Sequence, residues 1–509
     1  MEQQFELIAK TFQGLEEVLA TELTELGADN ISIGRRMVSF TGDQEMMYRA
    51  NFCLRTAIRV LKPIKHFKAK DADEVYAAVK EINWSDYLDL SNTFSVDSVI
   101  FSQEFRHSKF VAYKVKDAIV DYFRETTGKR PNIGITNPDI RLNIHIADTD
   151  CTLSLDSSGE SLHLRGYRTG SVEAPINEVL AAGLIKLSGW NFDCDLIDPF
   201  CGSGTILIEA ALMARNIYPG VFRRAFGFEK WKDFNRDLLD RIYNDDSQER
   251  PFSHHIYGYD INNPALEVAA RNVKSAGVAD CISLKQQDFK KFTQPQEKAV
   301  IITNPPYGER ITAPDLMGLY RAIGERLKHQ FVGNEAWIIC SREELFENIG
   351  LKPSFRIPLI NGSLDCEFRK YQIFDGKMQD FREKGGIVKT DEERKRMAEK
   401  RRFKADRDFK KRFDDPDSRD DEDEDDIIPG YMRRLHREFE RNHSARSRRE
   451  GDEAGDRHER RERRHTPAER RPSGSRRERR HTPAERRPSG SRRDNGHKGS
   501  GKRRDRRGN

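Results

Sequence analysis

The 509-residue chain has few cysteines, and none stands where a cross-link or a metal site would need it. Its seven cysteines are scattered singly, without a Cys-x-x-Cys pair and without a histidine at zinc-ligand spacing. This distribution argues against a disulfide framework and against a structural zinc site. We therefore expect reduced thiols, mainly buried, and no bound metal.

Long hydrophobic runs are also missing. No stretch approaches the roughly 20 apolar residues that span a bilayer, and the N-terminal sequence MEQQFELIAK has no basic segment followed by a long apolar core. These absences predict a cytoplasmic protein without a membrane partner. With 36% hydrophobic residues, the chain is long enough for two or three domains that each bury a core.

The formal net charge of +5 conceals a strong asymmetry. Residues 433–509 hold 28 Lys and Arg against 13 Asp and Glu, and an acidic run at residues 414–426 precedes them. Within this tail the sequence RRERRHTPAERRPSGS occurs twice in succession, over residues 460–491. A repeat without an apolar face cannot stack into a solenoid. It is either an Arg-rich arm that attracts nucleic acid by counterion release or a duplicated, solubilising segment.

Apolar periodicity divides the rest of the chain into two kinds of module. In the first third, helical spacing at residues 14–26 and 108–126 is mixed with a strand pattern at residues 94–101. From residue 173 to about residue 374, short apolar strands alternate with amphipathic helices, which is typical of a parallel, doubly wound sheet. The predicted fold class is α/β, with an α+β module ahead of a Rossmann-like domain.

A glycine-rich segment follows the strand that ends at Asp198, and a helix is predicted to begin near Thr205. Gly202 and Gly204 would let a ligand approach the backbone closely. A dinucleotide site needs a third small residue near position 207, where Leu207 stands, so a pyrophosphate cradle is not expected.

Two acids follow at the ends of the next strands. Asp260 is placed to bind the ribose hydroxyls of an adenosyl ligand, and Asp288, followed by Phe289, lies where an adenine could be held. A single acid at a strand end is more often a cap or turn residue than a ligand. The order of these motifs along successive carboxyl ends, the edge where open α/β sheets bind ligands, is what indicates an adenosyl site.

The strand at residues 299–303 ends in Asn304, Pro305, Pro306 and Tyr307, which we call the Asn-Pro-Pro-Tyr loop. An amino nitrogen on a base is a poor nucleophile because its lone pair is delocalised into the ring, so acceptors must orient and pyramidalise it. The Asn304 side chain and the Pro305 carbonyl supply two acceptors, and Tyr307 can stack on an unstacked base. The alternative, a plain proline turn, is disfavoured by the strand context.

The position of Cys201 speaks against another chemistry. Methylation at pyrimidine C5 needs a thiol beside the target base, whereas Cys201 lies in the glycine-rich segment and the Asn-Pro-Pro-Tyr loop contains no cysteine. We therefore expect Cys201 to be a small filler of the packing. The pattern indicates methyl transfer to an exocyclic amine without a covalent intermediate.

These motifs resemble the family of THUMP-domain RNA methyltransferases, and within it the bacterial enzymes that methylate guanine N2 in 23S rRNA. The likeness covers roughly residues 1–377 and also rests on the segments SGESLHLRGYR at 158–168, APINEVLAA at 174–182, FGFEKW at 226–231 and NGSLDCEF at 361–368. The resemblance implies S-adenosyl-L-methionine as the cofactor and RNA as the partner. Unlike the long fused members, the chain shows no second Rossmann-type domain with motifs of its own.

The resemblance also assigns roles and domains. The implied catalytic residues are Asn304, Pro305, Pro306 and Tyr307, and the implied cofactor-binding residues are Asp198, Pro199, Phe200, Gly202, Gly204, Thr205, Asp260 and Asp288. The expected order is a small α+β segment at 1–45, a THUMP-like RNA-binding domain at 46–157, a methyltransferase domain at 158–377, a charged segment with helical potential at 378–413, and a disordered acidic and then Arg-rich tail at 414–509.

The expected function is therefore methylation of the N2 amino group of a guanine in 23S rRNA or in a ribosome-assembly intermediate. A tRNA guanine-N2 methyltransferase is an alternative, because THUMP-like modules also serve tRNA enzymes. So is an adenine-N6 methyltransferase acting on RNA or DNA, because the same acceptors serve both amines. A non-catalytic ribosome-assembly factor would have lost residues of the Asn-Pro-Pro-Tyr loop, and all of them are present.

Overall fold

Two β-sheets with helices packed against them organise the chain. A computed structural model describes residues 3–105, 107–134, 136–292, 298–308 and 315–376, together with Glu383, Lys389 and Arg394. All of these belong to one compact unit. The predictions for residues 414–509, and nearly all of those for residues 378–413, lie outside the described residues.

The first sheet is built from the N-terminal third of the chain. Its strands are β1 (Phe5–Lys10), β2 (Asp29–Gly34), β3 (Met37–Gly42), β4 (Arg59–Lys68), β5 (Thr93–Phe101), β6 (Asn132–Ile133), β7 (Ile140–Ala147) and β8 (Asp150–Asp156). They lie in the order β2-β3-β1-β4-β8-β7-β5-β6. Strand β4 pairs with both β1 and β8, so it joins two groups of strands into one continuous sheet.

Four helices bury their apolar sides in the core that lines this sheet: α1 (Glu16–Leu26), α2 (Gln44–Cys53), α3 (Ala72–Lys80) and α4 (Ser108–Thr127). The α4 helix confirms the sequence pattern, because Val111, Val115, Ile119 and Phe123, spaced four apart, are all buried. It ends at Gly128, whose φ of +72° closes the helix in the left-handed conformation.

The predicted domain boundary between residues 45 and 46 falls inside α2. The Asp43 side chain caps this helix by accepting a hydrogen bond from the Met46 amide at 2.9 Å. A division after Cys53 would cut no helix or strand. The other predicted boundaries stay predictions.

The second sheet confirms the predicted α/β architecture. Its strands are β9 (Asp195–Asp198), β10 (Ile256–Asp260), β11 (Ile282–Gln286), β12 (Ala299–Thr303), β13 (Glu335–Cys340), β14 (Phe355–Asn361) and β15 (Leu364–Gln372), in the order β11-β10-β9-β12-β13-β15-β14. The first five strands of that order are parallel, and β15 and β14 form an antiparallel hairpin at one edge.

Helices cover both faces of the second sheet: α5 (Glu178–Ser188), α6 (Thr205–Ala214), α8 (Asn263–Ser275), α9 (Leu316–Gln330) and α10 (Glu343–Asn348). The α7 helix (Arg236–Tyr243) instead buries Leu238 and Leu239 in the core of the first sheet, where it contacts α2. Neighbouring strand residues therefore enter different cores, as Leu196 and Ile197 do. Burial on both faces explains why these strands are continuous apolar runs instead of alternating ones.

Burial also accounts for the cysteines. All seven are buried, as expected, and each is a free thiol. Within the part of the chain that the structure describes, no three metal-ligating side chains gather into a potential ion site. Among the same residues, no helix combines the length and the apolar character needed to cross a bilayer.

Candidate active site

The carboxyl ends of four neighbouring parallel strands meet at one edge of the second sheet. In the order β11-β10-β9-β12, these ends lead to Asp288, Asp260, the glycine-rich segment after Asp198, and Asn304. The chain proceeds from β9 to β10 on one side and later returns to β12 on the other, so the order reverses beside β9. Open α/β sheets bind ligands at such a reversal, outside the carboxyl ends of the strands.

The glycine turn, residues 199–204, lies between β9 and α6 and uses two positive φ angles. Gly202 has φ +52° and Gly204 has φ +82°. A Cβ atom on Gly204 would lie 3.3 Å from the Cβ atom of Ala269 in α8, whereas the nearest atom to a Cβ atom on Gly202 would be 3.7 Å away, in Val172. Gly204 thus permits close helix packing, and the space beside Gly202 is open to a ligand.

The Asp260 carboxylate fixes the glycine turn to the end of β10. Its Oδ2 atom accepts a hydrogen bond from the Gly202 amide at 2.9 Å, and its Oδ1 atom accepts one from the Asn262 amide at 2.8 Å. A carboxylate has about four lone-pair positions. The half-buried Asp260 side chain therefore retains acceptors for hydroxyl groups of a ligand.

Asp198 faces protein. Its Oδ1 atom accepts hydrogen bonds from the Thr303 hydroxyl at 2.6 Å and from the Phe200 amide at 3.1 Å, and the residue is 1% exposed. Burial raises the pKa of Asp198 to about 7, aided by the Asp260 charge and opposed by these hydrogen bonds. The side chain joins the end of β9 to the end of β12, so a direct cofactor contact by its carboxylate stays a prediction.

Phe289 does not lie where the sequence predicted an aromatic ring for the adenine. Phe289 is 5% exposed and stacks with Phe292 and Phe331 in a core cluster, so it is not placed to hold an adenine. Phe200 in the glycine turn is half-buried, with its ring 5.4 Å from that of Phe289. The half-buried Asp288 caps the short helix that follows, by accepting from the Lys290 amide at 2.9 Å.

The Asn304 side chain is the unusual feature of the Asn-Pro-Pro-Tyr loop. The residue is half-buried, but its Oδ1 atom is fully buried and has no hydrogen-bond partner among the described residues. A buried polar atom left unpaired costs about 1–3 kcal/mol. The loop therefore holds a hydrogen-bond acceptor beside Pro305 that the described part of the protein leaves unused.

Contacts at the end of this loop hold Tyr307. Its hydroxyl accepts a hydrogen bond from Nδ2 of Asn361 at 2.8 Å, and its carbonyl accepts one from Nη1 of Arg342 at 3.5 Å. Gly308 follows with φ +89°, where a Cβ atom would come within 2.7 Å of Leu316. The two prolines before Tyr307 differ in exposure: Pro305 is buried and Pro306 is half-buried.

Sequence reasoning missed four residues that hold this site. Arg168 and Asn272 bond to the glycine turn, and Arg342 and Asn361 bond to Tyr307. Arg168 and Asn361 lie in segments that carried the family resemblance, which was the one available signal. Cys201 is 6% exposed and, as expected, fills packing space; burial raises its pKa far above the usual range for a thiol.

The residues at this edge fit an adenosyl cofactor with a carboxylate tail. The space beside Gly202 admits a ligand, and the first amides of α6 have no partner within the helix and favour negative charge. Asp260 supplies acceptors for two hydroxyl groups. This donor and acceptor set suits S-adenosyl-L-methionine better than a pyrophosphate ligand.

Three family models match successive parts of the chain. One described as the RlmL ferredoxin-like domain matches residues 6–61, one described as a THUMP domain matches residues 69–156, and one described as an RMKL-like methyltransferase domain matches residues 165–370. Together they span both sheets.

Curated relatives cover the same region. A Synechocystis sp. protein named for RNA methyltransferase activity is 37% identical over 373 residues, which are 72% of this chain and 96% of the relative. The ribosomal RNA large subunit methyltransferase K/L of Photobacterium profundum is 37% identical over 380 residues, which are 73% of this chain and 53% of the relative. The chain thus spans about half the length of the K/L relatives it matches.

Solved structures agree with these matches. A methyltransferase crystallised with S-adenosylhomocysteine is 30% identical, with a TM-score of 0.66, over 74% of this chain and all of that chain. The bound product of S-adenosyl-L-methionine in that protein agrees with the cofactor expected from the residues.

Proposed function

Since the chain belongs to the family of THUMP-domain RNA methyltransferases that use S-adenosyl-L-methionine, we propose that it methylates the N2 amino group of a guanine in 23S rRNA. The observation that carries this proposal is the buried, unpaired Oδ1 atom of Asn304 beside Pro305. The K/L relatives are named for methylation of large-subunit ribosomal RNA, which supports the substrate. The choice of guanine N2 rests on the likeness of the whole region at residues 1–377 to the guanine-N2 enzymes, because the loop itself suits either amine.

In the proposed mechanism the Asn-Pro-Pro-Tyr loop positions the target amine. When bound, S-adenosyl-L-methionine supplies an electrophilic methyl group. Asn304 Oδ1 and the Pro305 carbonyl accept hydrogen bonds from the two amino protons, which turns the nitrogen lone pair out of the ring plane. Because Asn304 Oδ1 has no contact with solvent, the loop or its surroundings must move to admit the base. The proton lost after transfer passes to water.

Tyr307 holds the flipped base in this proposal, with Pro306 stiffening the loop. An RNA base that is out of its stack is commonly held by an aromatic ring. The hydrogen bond from Asn361 to the Tyr307 hydroxyl sets the direction of that ring. The hairpin of β14 and β15 thereby supports the base site.

The cofactor site is proposed on the other side of the sheet reversal. Gly202, Gly204 and Thr205 line the methionine end, and Asp260 accepts from the ribose hydroxyls. Asp288 accepts from the adenine amino group, beside the half-buried Phe200 ring. Asp198 and Pro199, both buried, act by shaping the glycine turn.

The region with the THUMP match, within the proposed 46–157 domain, is assigned to binding rRNA in this proposal, in the cytoplasm where ribosomes are assembled. The two rival enzymatic functions share the loop chemistry. A tRNA guanine-N2 enzyme would use the same residues on another RNA, and an adenine-N6 enzyme would use them on another amine.

Mass-spectrometric nucleoside mapping of rRNA from cells with and without this gene tests the proposal. We expect one N2-methylguanosine in 23S rRNA to disappear and to return when the gene is restored. A missing N6-methyladenosine would contradict the choice of amine. A change confined to tRNA would contradict the choice of RNA.

A further inference from the structure

The linker, residues 165–172, connects the two sheets and runs along the glycine turn. The Arg168 guanidinium bonds to both sides of Gly204: Nη1 donates to Ser203 Oγ at 3.1 Å and Nη2 donates to Thr205 Oγ1 at 2.9 Å. Its Nε atom pairs with the Glu178 carboxylate at 2.7 Å. One planar side chain thus holds the turn, the start of α6 and the start of α5 together.

Asn272 in α8 joins the same linker to the same turn. This residue is 1% exposed, and its Oδ1 atom accepts hydrogen bonds from the amides of Thr169 at 2.9 Å and Gly170 at 3.1 Å. Its Nδ2 atom donates to the carbonyls of Gly170 and Ser203, both at 3.1 Å. Both donors of this buried amide and its oxygen are therefore hydrogen-bonded, and these bonds hold the linker against Ser203.

The start of the linker is bonded to the segment that follows α2 and to α6. Arg165, 2% exposed, donates to the Arg55 carbonyl at 2.5 Å and lies 3.4 Å from the Glu209 carboxylate of α6. The Tyr167 hydroxyl donates to that same carboxylate at 2.9 Å. The first half of the linker is therefore held by α6, the helix whose N-terminus faces the cofactor site, and the second half by α8.

The glycine turn needs such support because of its composition. Gly202 and Gly204 carry positive φ angles, and glycine has more backbone freedom to lose than any other residue. Without fixed partners the turn would sample other shapes, and ordering it would reduce the affinity for any ligand. The Val172 side chain, 3.7 Å from the position of a Gly202 Cβ atom, also makes the linker one wall of the open space.

We propose that Arg168 and Asn272 are positioning residues that hold the glycine turn in its ligand-binding shape, so that the linker sets the affinity for S-adenosyl-L-methionine. This inference rests on the proposed function only for the identity of the cofactor. It assigns neither residue a contact with the RNA base.

Calorimetric titration of the full chain with S-adenosylhomocysteine tests this inference without any turnover. Hydrogen bonds from a charged group are stronger than neutral ones, so Arg168→Gln should weaken binding about tenfold or more. Arg168→Lys keeps the charge but not the fork of donors, and should recover part of the affinity. Asn272→Ala should resemble Arg168→Gln. With substrate RNA, the KM for S-adenosyl-L-methionine should rise in all three variants while kcat changes less than about twofold.

Arg215→Gln is the matched control. Arg215 follows α6 and forms a surface pair with Asp280 at 3.1 Å, away from the glycine turn. The Arg215→Gln variant should bind S-adenosylhomocysteine with the affinity of the unmodified chain. Ser203→Ala removes a hydroxyl that accepts a hydrogen bond from Arg168, with little risk to folding. It should weaken binding of S-adenosylhomocysteine about threefold.

A purely structural role for Arg168 would lower the melting temperature of the ligand-free chain and leave the affinity unchanged. The inference would be overturned if the variants bound S-adenosylhomocysteine within about twofold of the unmodified chain. This applies to Arg168→Lys and Ser203→Ala, and to Arg168→Gln and Asn272→Ala where those proteins fold. A chain that shows the expected affinity series but methylates no guanine would contradict the proposed function alone.

Discussion

The glycine turn and the Asn-Pro-Pro-Tyr loop leave adjacent strands at the same edge of the sheet, yet the protein holds them in opposite ways. The turn is bonded from three directions, by Asp260, Asn272 and Arg168. The loop contains a buried acceptor on Asn304 without a partner among the described residues. The cofactor side is therefore formed in advance, whereas the base side keeps an acceptor for a donor that the substrate brings.

One hydrogen bond connects the two regions. The Thr303 hydroxyl, one residue before the loop, donates to the buried Asp198 carboxylate, one residue before the turn, at 2.6 Å. Beyond the backbone pairing of β9 with β12, the two strand ends are therefore joined by a carboxyl group whose pKa is raised to about 7. The protonation state of Asp198 matters to both regions.

The largest expected effect concerns this junction. A carboxyl whose pKa is higher in the folded than in the unfolded chain disfavours folding as pH rises between the two values. Between about pH 4 and pH 7 the unmodified chain should thus lose on the order of 3 kcal/mol through Asp198. Asp198→Asn keeps an oxygen acceptor for Thr303 and does not ionise, so its melting temperature relative to the unmodified chain should rise across that window.

Asp139→Asn provides a control of opposite sign. Hydrogen bonds from the Thr93 amide, from Lys230 and from the Thr93 hydroxyl, together with the Lys230 charge, lower the pKa of Asp139 to about 2 against the opposing effect of burial. Its ionised form stabilises the fold above the unfolded value near 4 and loses that effect as pH falls towards 2. A melting-temperature difference for Asp198→Asn that stays flat between pH 4 and pH 8 would contradict the raised pKa.

The next largest effect is expected from a substitution in the Asn-Pro-Pro-Tyr loop alone. Asn304→Ala removes the proposed acceptor, and loss of one such preorganised group costs about 10²–10³ in kcat. Binding of S-adenosylhomocysteine and of RNA should be unchanged, because the glycine turn keeps its partners. Single-turnover methylation of rRNA measures the chemical step, and calorimetry with S-adenosylhomocysteine measures cofactor binding, so the two effects are separated. The exposed Asn244 serves as control, since Asn244→Ala should keep full activity. Activity of Asn304→Ala within about threefold of normal would exclude the assigned role.

The same contrast explains what the sequence could predict. The glycine turn and the acids at strand ends are encoded locally, since each stands within a few residues of the strand that places it. Arg168 and Asn272 reach the turn from 35 and 69 residues away. No spacing rule relates those positions, so only the folded chain brings them together. Asn361 likewise reaches Tyr307 across 54 residues.

Neither the burial of Phe289 nor the position of residue 46 inside α2 could be predicted from the local sequence, for related reasons. A local pattern shows that an aromatic follows an acid, but not whether it faces a cleft or the neighbouring core formed with Phe292 and Phe331. The boundary at residue 46 was implied by the family resemblance, which does not show where a helix begins. Strand β4 pairs with strands on both sides of it and makes the first sheet continuous, which no local pattern reveals.

The smallest expected effect concerns Asn361, a side chain of the β14–β15 hairpin that bonds to Tyr307. Asn361→Ala removes the donor to the Tyr307 hydroxyl, and a neutral hydrogen bond contributes about 0.5–1.5 kcal/mol. We expect turnover to fall about threefold to tenfold, because the ring is less well directed towards the base. The affinity for S-adenosylhomocysteine should not change, since the described partners of the glycine turn lie in the linker, β10 and α8 and not in the hairpin. Ser363→Ala, in the exposed turn of the same hairpin, should leave turnover unchanged.

A double-mutant cycle decides whether this hydrogen bond is the cause. Tyr307→Phe removes the acceptor and keeps the ring, so it should reduce turnover by a similar factor. If the bond acts as inferred, the double variant Asn361→Ala with Tyr307→Phe should be no slower than either single variant. Additive losses would mean that Asn361 acts on the hairpin and not through Tyr307. The base side would then depend on the hairpin's shape, and the contrast with the directly bonded glycine turn would become sharper.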